Sequence, residues 1–439
     1  MFSSLSIPNY RFWFAGALIS NTGAWMQRTA QDWIVLTELT DRDAVALGIT
    51  TALQFGPTLL LMPISGLLAD RLRRRTILIW TQSAQGVLAL ALGLLLVLGH
   101  AELWHVYVFA LLLGVTTAID VPSRQSFVSD LVPSGKLPNA VSLNATSFQS
   151  ARLIGPALAG VLIATTGSSV VFFINAASFG AVIIAMILIR PDQLQPSPLL
   201  ARARGQLRGG LTYVKSRSDL VVLMTMVFVV GAFGLNFPIL IATMATIEFN
   251  LDATGFGALT SLMAVGAIIG SLLAARRERA RFGVVVVAAT AFGGFGLLAS
   301  LAPSLWLFGL LLVIVGGCTL TMLATANAYV QSTTDPTLRG RVMAIYMAVF
   351  MGGTPLGAPI IGLITNEFGP RWAVVAASTS GFVAAAIAIS WLVIGRGMRV
   401  VRHPDQRFRL RLAFPSTEDD RELLTEELAL EESAVKRGT

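Results

Sequence analysis

Cysteine, histidine and lysine are almost missing from this 439-residue chain. The one cysteine, Cys318, has no partner in the chain, which excludes an intrachain disulfide framework. Three scattered histidines, His100, His105 and His403, form no Cys/His cluster, so no metal site is expected. No histidine stands beside an acid well inside an apolar run, and no Walker A loop occurs. A membrane-embedded enzyme and an ATP-driven pump both lack their machinery; the chain is not expected to be an enzyme. Charge is scarce as well, at 13% of residues, about half the share usual in a soluble domain. The N-terminus has no basic stretch followed by a small-residue cleavage site, so the first apolar helix is expected to be kept.

Apolar residues make up 54% of the chain, and the mean hydropathy is +0.72. Most of the chain must therefore dissolve in lipid. The net charge of +8 does not point to nucleic acid, because the basic residues sit in short loops between apolar runs. A span needs about 20 apolar residues. Twelve such runs are predicted, the first six over approximately 12–38, 44–69, 76–98, 102–122, 140–165 and 168–190. The second six cover approximately 219–246, 255–275, 282–301, 304–329, 341–365 and 371–395.

Charge asymmetry orients them. With the N-terminus inside, the inner loops hold Arg71 to Arg75, Arg124, Lys136, Arg202 to Arg217, Arg276 to Arg281, Arg339 and Arg341. The outer loops keep only Arg42 and Arg371, beside Asp41, Asp43, Glu102, Glu248, Asp252 and Glu367. Positive charge stays inside at nearly every loop, so both termini are expected to be cytoplasmic.

The chain repeats itself. A shift of 202 residues lays Gly155, Gly160 and Gly167 on Gly357, Gly362 and Gly369, and GPALAGVLIATTG on GAPIIGLITNEFG. A shift of 205 lays SGLLADRLRRR on GSLLAARRERA. Two matches at nearly one offset predict parallel six-helix halves around a central site. The expected divisions are 1–190, a basic linker 191–218 with a partial surface helix, 191–218 being followed by the second bundle 219–395. A basic-then-acidic tail, 396–439, ends the chain, with an N-cap at Ser416 or Thr417 opening an acidic helix.

Gly66 to Thr76 reads GLLADRLRRRT, an apolar helix running into Asp70, Arg71, Arg73, Arg74 and Arg75. The order of residue types resembles the loop between helices 2 and 3 of the major facilitator superfamily, G-x-L-a-D-r-x-G-r-k. Gly66, Leu68, Ala69, Asp70, Arg71, Arg74 and Arg75 match; Arg73 stands where the family has glycine. VPSRQSFVSDLV, NAVSLNATSFQSARLIGPALAG and LRGRVMAIY look like the branch holding the enterobactin exporter and macrolide-efflux proteins, over residues 8–395. The resemblance implies an all-α membrane protein with the major facilitator fold, working as a secondary transporter in the cell (plasma or inner) membrane. Asp70 and its arginines are expected to form a latch, the carboxylate facing a helix N-terminus of the opposite half; the resemblance implies that this helix is the eleventh, beginning near Arg341, and Arg124 at the end of the fourth span is a natural second partner.

Charges within a span are costly, which directs attention to Asp32, the acid placed well inside one. Asn21, Trp25, Arg28 and Asp32 fall on one helix face, and an Arg28–Asp32 ion pair is expected at that spacing. Asp32 is either a neutralised structural partner or a titrating carboxylate coupling protons to substrate. Arg152 in the fifth span needs an anion, either Asp32 or an acidic group on the substrate. Gly155, Pro156 and Gly160 resemble a truncated form of the fifth-helix signature of proton-driven exporters. They permit either a bend or a close helix crossing.

The expected cavity lining mixes amides and aromatics: Trp25, Gln31, Gln54, Phe55, Asn144, Phe148, Gln149, Asn175, Asn236, Phe237 and Asn327. Such a lining suits bulky amphipathic ligands, drug-like or siderophore-like. Proton-coupled export through a monomer is the leading expectation. Its expected partners are a small-molecule substrate and a bilayer with anionic headgroups, with no nucleic acid and no cofactor beyond the proton gradient. Uptake of a polar solute such as a sugar, or a non-transporting receptor or scaffold, are the alternatives.

Overall fold

The computed structural model describes residues 3–194, 206–277, 279–395, 399–402 and 410–413, without side chains for 62–71, 206–208, 395 and the last two short segments. The first six long helices are α1 (Pro8–Thr37), α2 (Ala44–Arg71), α3 (Arg74–Val97), α4 (Leu103–Leu131), α5 (Leu137–Thr166) and α6 (Ser168–Leu188). A short α7 (Gln206–Ser216) then leads into α8 (Ser218–Val229) and α9 (Phe237–Thr243). The remainder are α10 (Ala253–Ala275), α11 (Phe282–Ser300), α12 (Leu305–Thr333), α13 (Arg339–Phe368) and α14 (Pro370–Ser390). A two-stranded antiparallel ribbon pairs Arg399–Arg402 with Leu410–Ala413. The acidic helix expected after Ser416 lies outside the described residues.

Eleven segments among the described residues are long and apolar enough to cross a membrane. The 30-residue α1 is as long as the others but too polar to be counted with them. It carries Gln27, Gln31 and Asp32, and these polar groups are buried in the bundle. Several helices outrun their apolar stretches: α4 continues through Pro122 to Leu131 and α13 through two prolines to Phe368. Apolar length sets what lies in lipid, and a helix continues past it into headgroups and water.

The run 219–246 differs from the expected continuous span. It is α8, a π turn at Val230–Gly234, α9, and a second π turn at Met244–Glu248. Pro238 has no N–H to donate, so the ladder fails upstream of it. Asn236 repairs part of the loss by donating to the Ala232 carbonyl at 2.5 Å. It is fully buried there, so it caps a helix break and does not line an open cavity.

The glycine repeat does equivalent work at both of its ends. A Cβ on Gly155 would meet the Trp25 Cβ of α1 at 2.6 Å, and one on Gly357 would run into the backbone at Ala232. Gly160 approaches the Ala253 carbonyl of α10, and Gly362 approaches the Ala44 and Val45 backbone of α2. Gly167 and Gly369 end α5 and α13 at φ 91° and 92°, a region closed to ordinary side chains. The 202-residue offset thus preserves close approaches and turn geometry, which is why glycine recurs at those places.

The packing that follows joins α2 to α13 and α5 to α10. At α5–α10 the Ser261 hydroxyl donates to the Leu153 carbonyl at 2.8 Å, three residues before Pro156. Gly257 lies close to Gly160, where a Cβ would be 3.2 Å from its Cα. Gly155, Pro156 and Gly160 therefore form a close crossing within one unbroken helix.

Candidate functional site

α1 brings the charged and aromatic candidates together. Trp25 stands edge-on to Phe148 of α5, ring centroids 5.8 Å apart. The Arg28 guanidinium lies 4.9 Å from the Trp25 ring centroid and 5.0 Å from that of Phe55 on α2. Arg152 of α5 lies 5.6 Å from the same Trp25 ring. Asn21 reaches Ser147 of α5 with its amide at 3.4 Å. The spacing of Asn21, Trp25 and Arg28 on one helix face thus produces one contact surface, with α5 opposite. Trp25, Arg28, Phe55 and Arg152 are half-buried and Phe148 is exposed, so the cluster borders open space.

Asp32 is buried at 6% exposure, one turn beyond Arg28. The expected Arg28–Asp32 contact ion pair is not formed: among the described residues no basic nitrogen lies within 4.0 Å of Asp32. Arg28 is instead drawn over the Trp25 and Phe55 faces, where the ring quadrupole attracts a cation. Nor does Asp32 stand within 4.0 Å of Arg152.

A second buried aspartate has the opposite surroundings. Asp120 on α4 accepts from Thr81 at 2.6 Å, Gln82 at 2.8 Å and Arg124 at 2.9 Å. This network around the Asp120 carboxylate was missed from sequence, although the four-residue spacing of Asp120 and Arg124 was a readable signal.

The latch residues divide. Arg74 pairs with Asp130 at 2.6 Å and Arg124 with Asp120, so both answer to α4. Arg75 donates to the Ile187 carbonyl at 3.4 Å. Arg341 lies against Gly209 and Gly210 of α7, which places the linker helix at the start of α13. The side chains of Gly66, Asp70 and Arg71 lie outside the described residues.

The predicted cavity residues also divide. Asn144 and Gln149 are half-buried on α5 near Phe148. Gln31 and Gln54 are buried, and the Gln31 amide nitrogen has no hydrogen-bond partner. Asn175 is a correction: its amide donates to Gln27 at 2.5 Å inside the α1–α6 seam, because buried amides seek each other in a dry interface. Phe237 stands edge-on to Phe292, ring centroids 6.3 Å apart, and the two line a small apolar cavity in the second half. Asn327 accepts from Gln331 at 2.6 Å on its own helix.

At the other end of α2, Asn366 of α13 donates to the Asp43 carboxylate at 2.7 Å and accepts from the Ala44 N–H at 2.9 Å. Asp43 also accepts from Val45 at 2.8 Å. Arg42, held at φ 59°, reaches Asn250 at 3.5 Å. The capping role of Asp43 was open to sequence reading; its partner across the bundle was not.

Residues 1–411 match the family model described as Transmembrane secretion effector. The chain belongs to that family of the major facilitator superfamily. Such proteins are multi-pass membrane transporters of the cell membrane and not enzymes. Among similar proteins is the staphyloferrin A transporter of Staphylococcus aureus, 25% identical over 82% of this chain and 90% of its own length. The enterobactin exporter EntS of Shigella flexneri is 24% identical over 79% of this chain and 82% of its own. In three dimensions the fold resembles a bacterial homolog of the human lysosomal transporter Spinster, in an inward-facing, unoccupied conformation. The TM-score is 0.70 at 17% identity, covering 87% of this chain and 96% of that one.

Proposed function

We propose that the chain is a proton-coupled exporter of amphipathic small molecules of the siderophore kind, working by alternating access. Siderophore transport is the activity named for the relatives above. In this reading α1 is the twelfth span, both termini are cytoplasmic, and residues 1–190 and 219–395 are the two rocking halves. The linker 191–218 and tail 396–439 lie on the cytoplasmic surface, beside anionic headgroups that their arginines attract.

One observation carries the coupling assignment: no basic nitrogen lies within 4.0 Å of buried Asp32, whereas buried Asp120 is held in a contact ion pair. Burying an unpaired carboxylate is costly enough that it is retained where its proton moves. Exchange then proceeds by Asp32 losing its proton to the cytoplasm and regaining one from outside. Trp25, Arg28, Phe55, Phe148 and Arg152 form the substrate wall. The Asp43–Asn366 and α5–α10 contacts, both formed here, are the outer gate. Gly66, Asp70, Arg71, Arg74, Arg75, Arg124 and Arg341 belong to the inner gate, which assembles when the halves rock the other way. The chain acts as a monomer, since each cycle needs only its own two halves.

Reconstitution in liposomes with a pH-sensitive dye inside tests this reading. With an inside-acid gradient, siderophores and drug-like compounds are added one at a time. Substrate-dependent proton efflux that disappears in a folded Asp32→Asn variant is the expected result. Exchange that survives Asp32→Asn removes the assignment of Asp32. Absence of any substrate-dependent proton movement counts against proton coupling.

A further inference from the structure

Four arginines of the bundle meet carboxylates, Arg74 with Asp130, Arg124 with Asp120, Arg217 with Asp219 and Arg371 with Glu248, and Arg75 donates to a backbone carbonyl. Arg28 and Arg152 are different. Among the described residues neither has a carboxylate oxygen within 4.0 Å, and both flank the one Trp25 ring. Asp32 is the nearby acid, and one carboxylate cannot neutralise two guanidiniums. The cluster holds an excess positive charge in a part of the protein that sits at membrane depth, where an uncompensated charge is expensive.

We propose that this cluster is a built site for an organic anion, a carboxylate or acidic phenol carried on a flat aromatic body. The proposal rests on reading the Trp25 cluster as the substrate wall and names the chemistry of what binds there. Aromatic faces hold the two guanidiniums through their π clouds, leaving the N–H forks free, and a guanidinium fork matches a carboxylate with two parallel hydrogen bonds. Phe148, 46% exposed, and half-buried Phe55 offer the flat surfaces for the rest of the ligand. A bound anion would make the site, with Asp32 ionised, electrically neutral. A cationic drug would be repelled there.

Binding is measured on the intact, purified chain in detergent by equilibrium dialysis with 2-naphthoate, its neutral amide 2-naphthamide and the cation 2-naphthylmethylamine. Protein-free detergent micelles supply the partition blank. Naphthoate is expected to bind at least about ten-fold tighter than the amide, with the amine weakest. Arg28→Gln and Arg152→Gln should each remove that preference while leaving amide binding unchanged. Arg152→Lys keeps the charge without the fork and serves if the glutamine variant does not fold; it should weaken naphthoate binding and still favour the acid over the amide.

Equal binding of acid and amide, preference for the amine, no naphthoate binding, or an acid preference that survives both glutamine variants would each overturn the proposal. Equilibrium binding requires neither flux nor a proton gradient. Anion binding without proton exchange would therefore sink the coupling reading alone. Proton exchange without anion preference would sink this one.

Discussion

Arg28 and Arg152 come from different helices and meet at one indole, 4.9 and 5.6 Å from the Trp25 centroid. Two like charges are tolerated there because the ring face attracts both and the space beside them is open. Trp25 is thus the platform that positions the pair. Trp25→Phe retains a π face and should leave substrate exchange within a few-fold of the parent, while Trp25→Ala should lower it by at least about ten-fold. Initial rates in proteoliposomes, with size-exclusion profiles to confirm folding, distinguish the two.

The two buried aspartates should respond unequally to removal of charge. Asp120→Asn leaves half-buried Arg124 without its carboxylate partner and should cost on the order of 3 kcal/mol of stability. Asp32→Asn breaks no contact ion pair, so its thermal unfolding should fall far less than that of Asp120→Asn while proton exchange is lost. Thermal unfolding in detergent, paired with the liposome assay, checks both halves of this contrast.

Charge counting gives a third expectation. Exchange of a monoanion outward for one proton inward moves two charges per cycle, against one for a neutral substrate. Each charge is worth about 2.3 kcal/mol per 100 mV, so an inside-negative potential of that size supplies about 4.6 kcal/mol. A valinomycin-clamped reversal-potential measurement should return two charges per proton. A value of one would mean that the exported molecule is neutral.

Asn366 makes two hydrogen bonds to the start of α2, at 2.7 and 2.9 Å, and its loss leaves the Asp43 cap of α2 in place. With about 1 kcal/mol per bond, Asn366→Ala should shift the gate toward opening by roughly ten-fold or more. The readout is labelling by a membrane-impermeant maleimide of a cysteine placed at Ala358, buried against Gly48, in a Cys318→Ser background. Unchanged labelling would show that Asn366 does not hold the gate.

Much of this protein was fixed by the order of its residues. Runs of about 20 apolar residues must leave water, and arginine-rich loops must stay on one side. The 202-residue repeat of Gly155, Gly160 and Gly167 demanded equivalent close approaches, because only glycine allows backbones so near or a φ of 91°. The face carrying Asn21, Trp25 and Arg28 was legible for the same reason, since a 3.6-residue period fixes which side chains share a side.

What lies across from each face was decided only by the folded chain. Four-residue spacing placed Arg28 beside Asp32, yet the indole of its own helix and the ring of Phe55 drew the guanidinium away. Asn175 and Asn236 read as cavity residues from their type, but buried amides take whichever partner the packing supplies, here Gln27 and the Ala232 carbonyl. The Asp43–Asn366 pair joins residues 323 apart in sequence. No local pattern encodes such a pairing, because it exists only once α2 and α13 have packed.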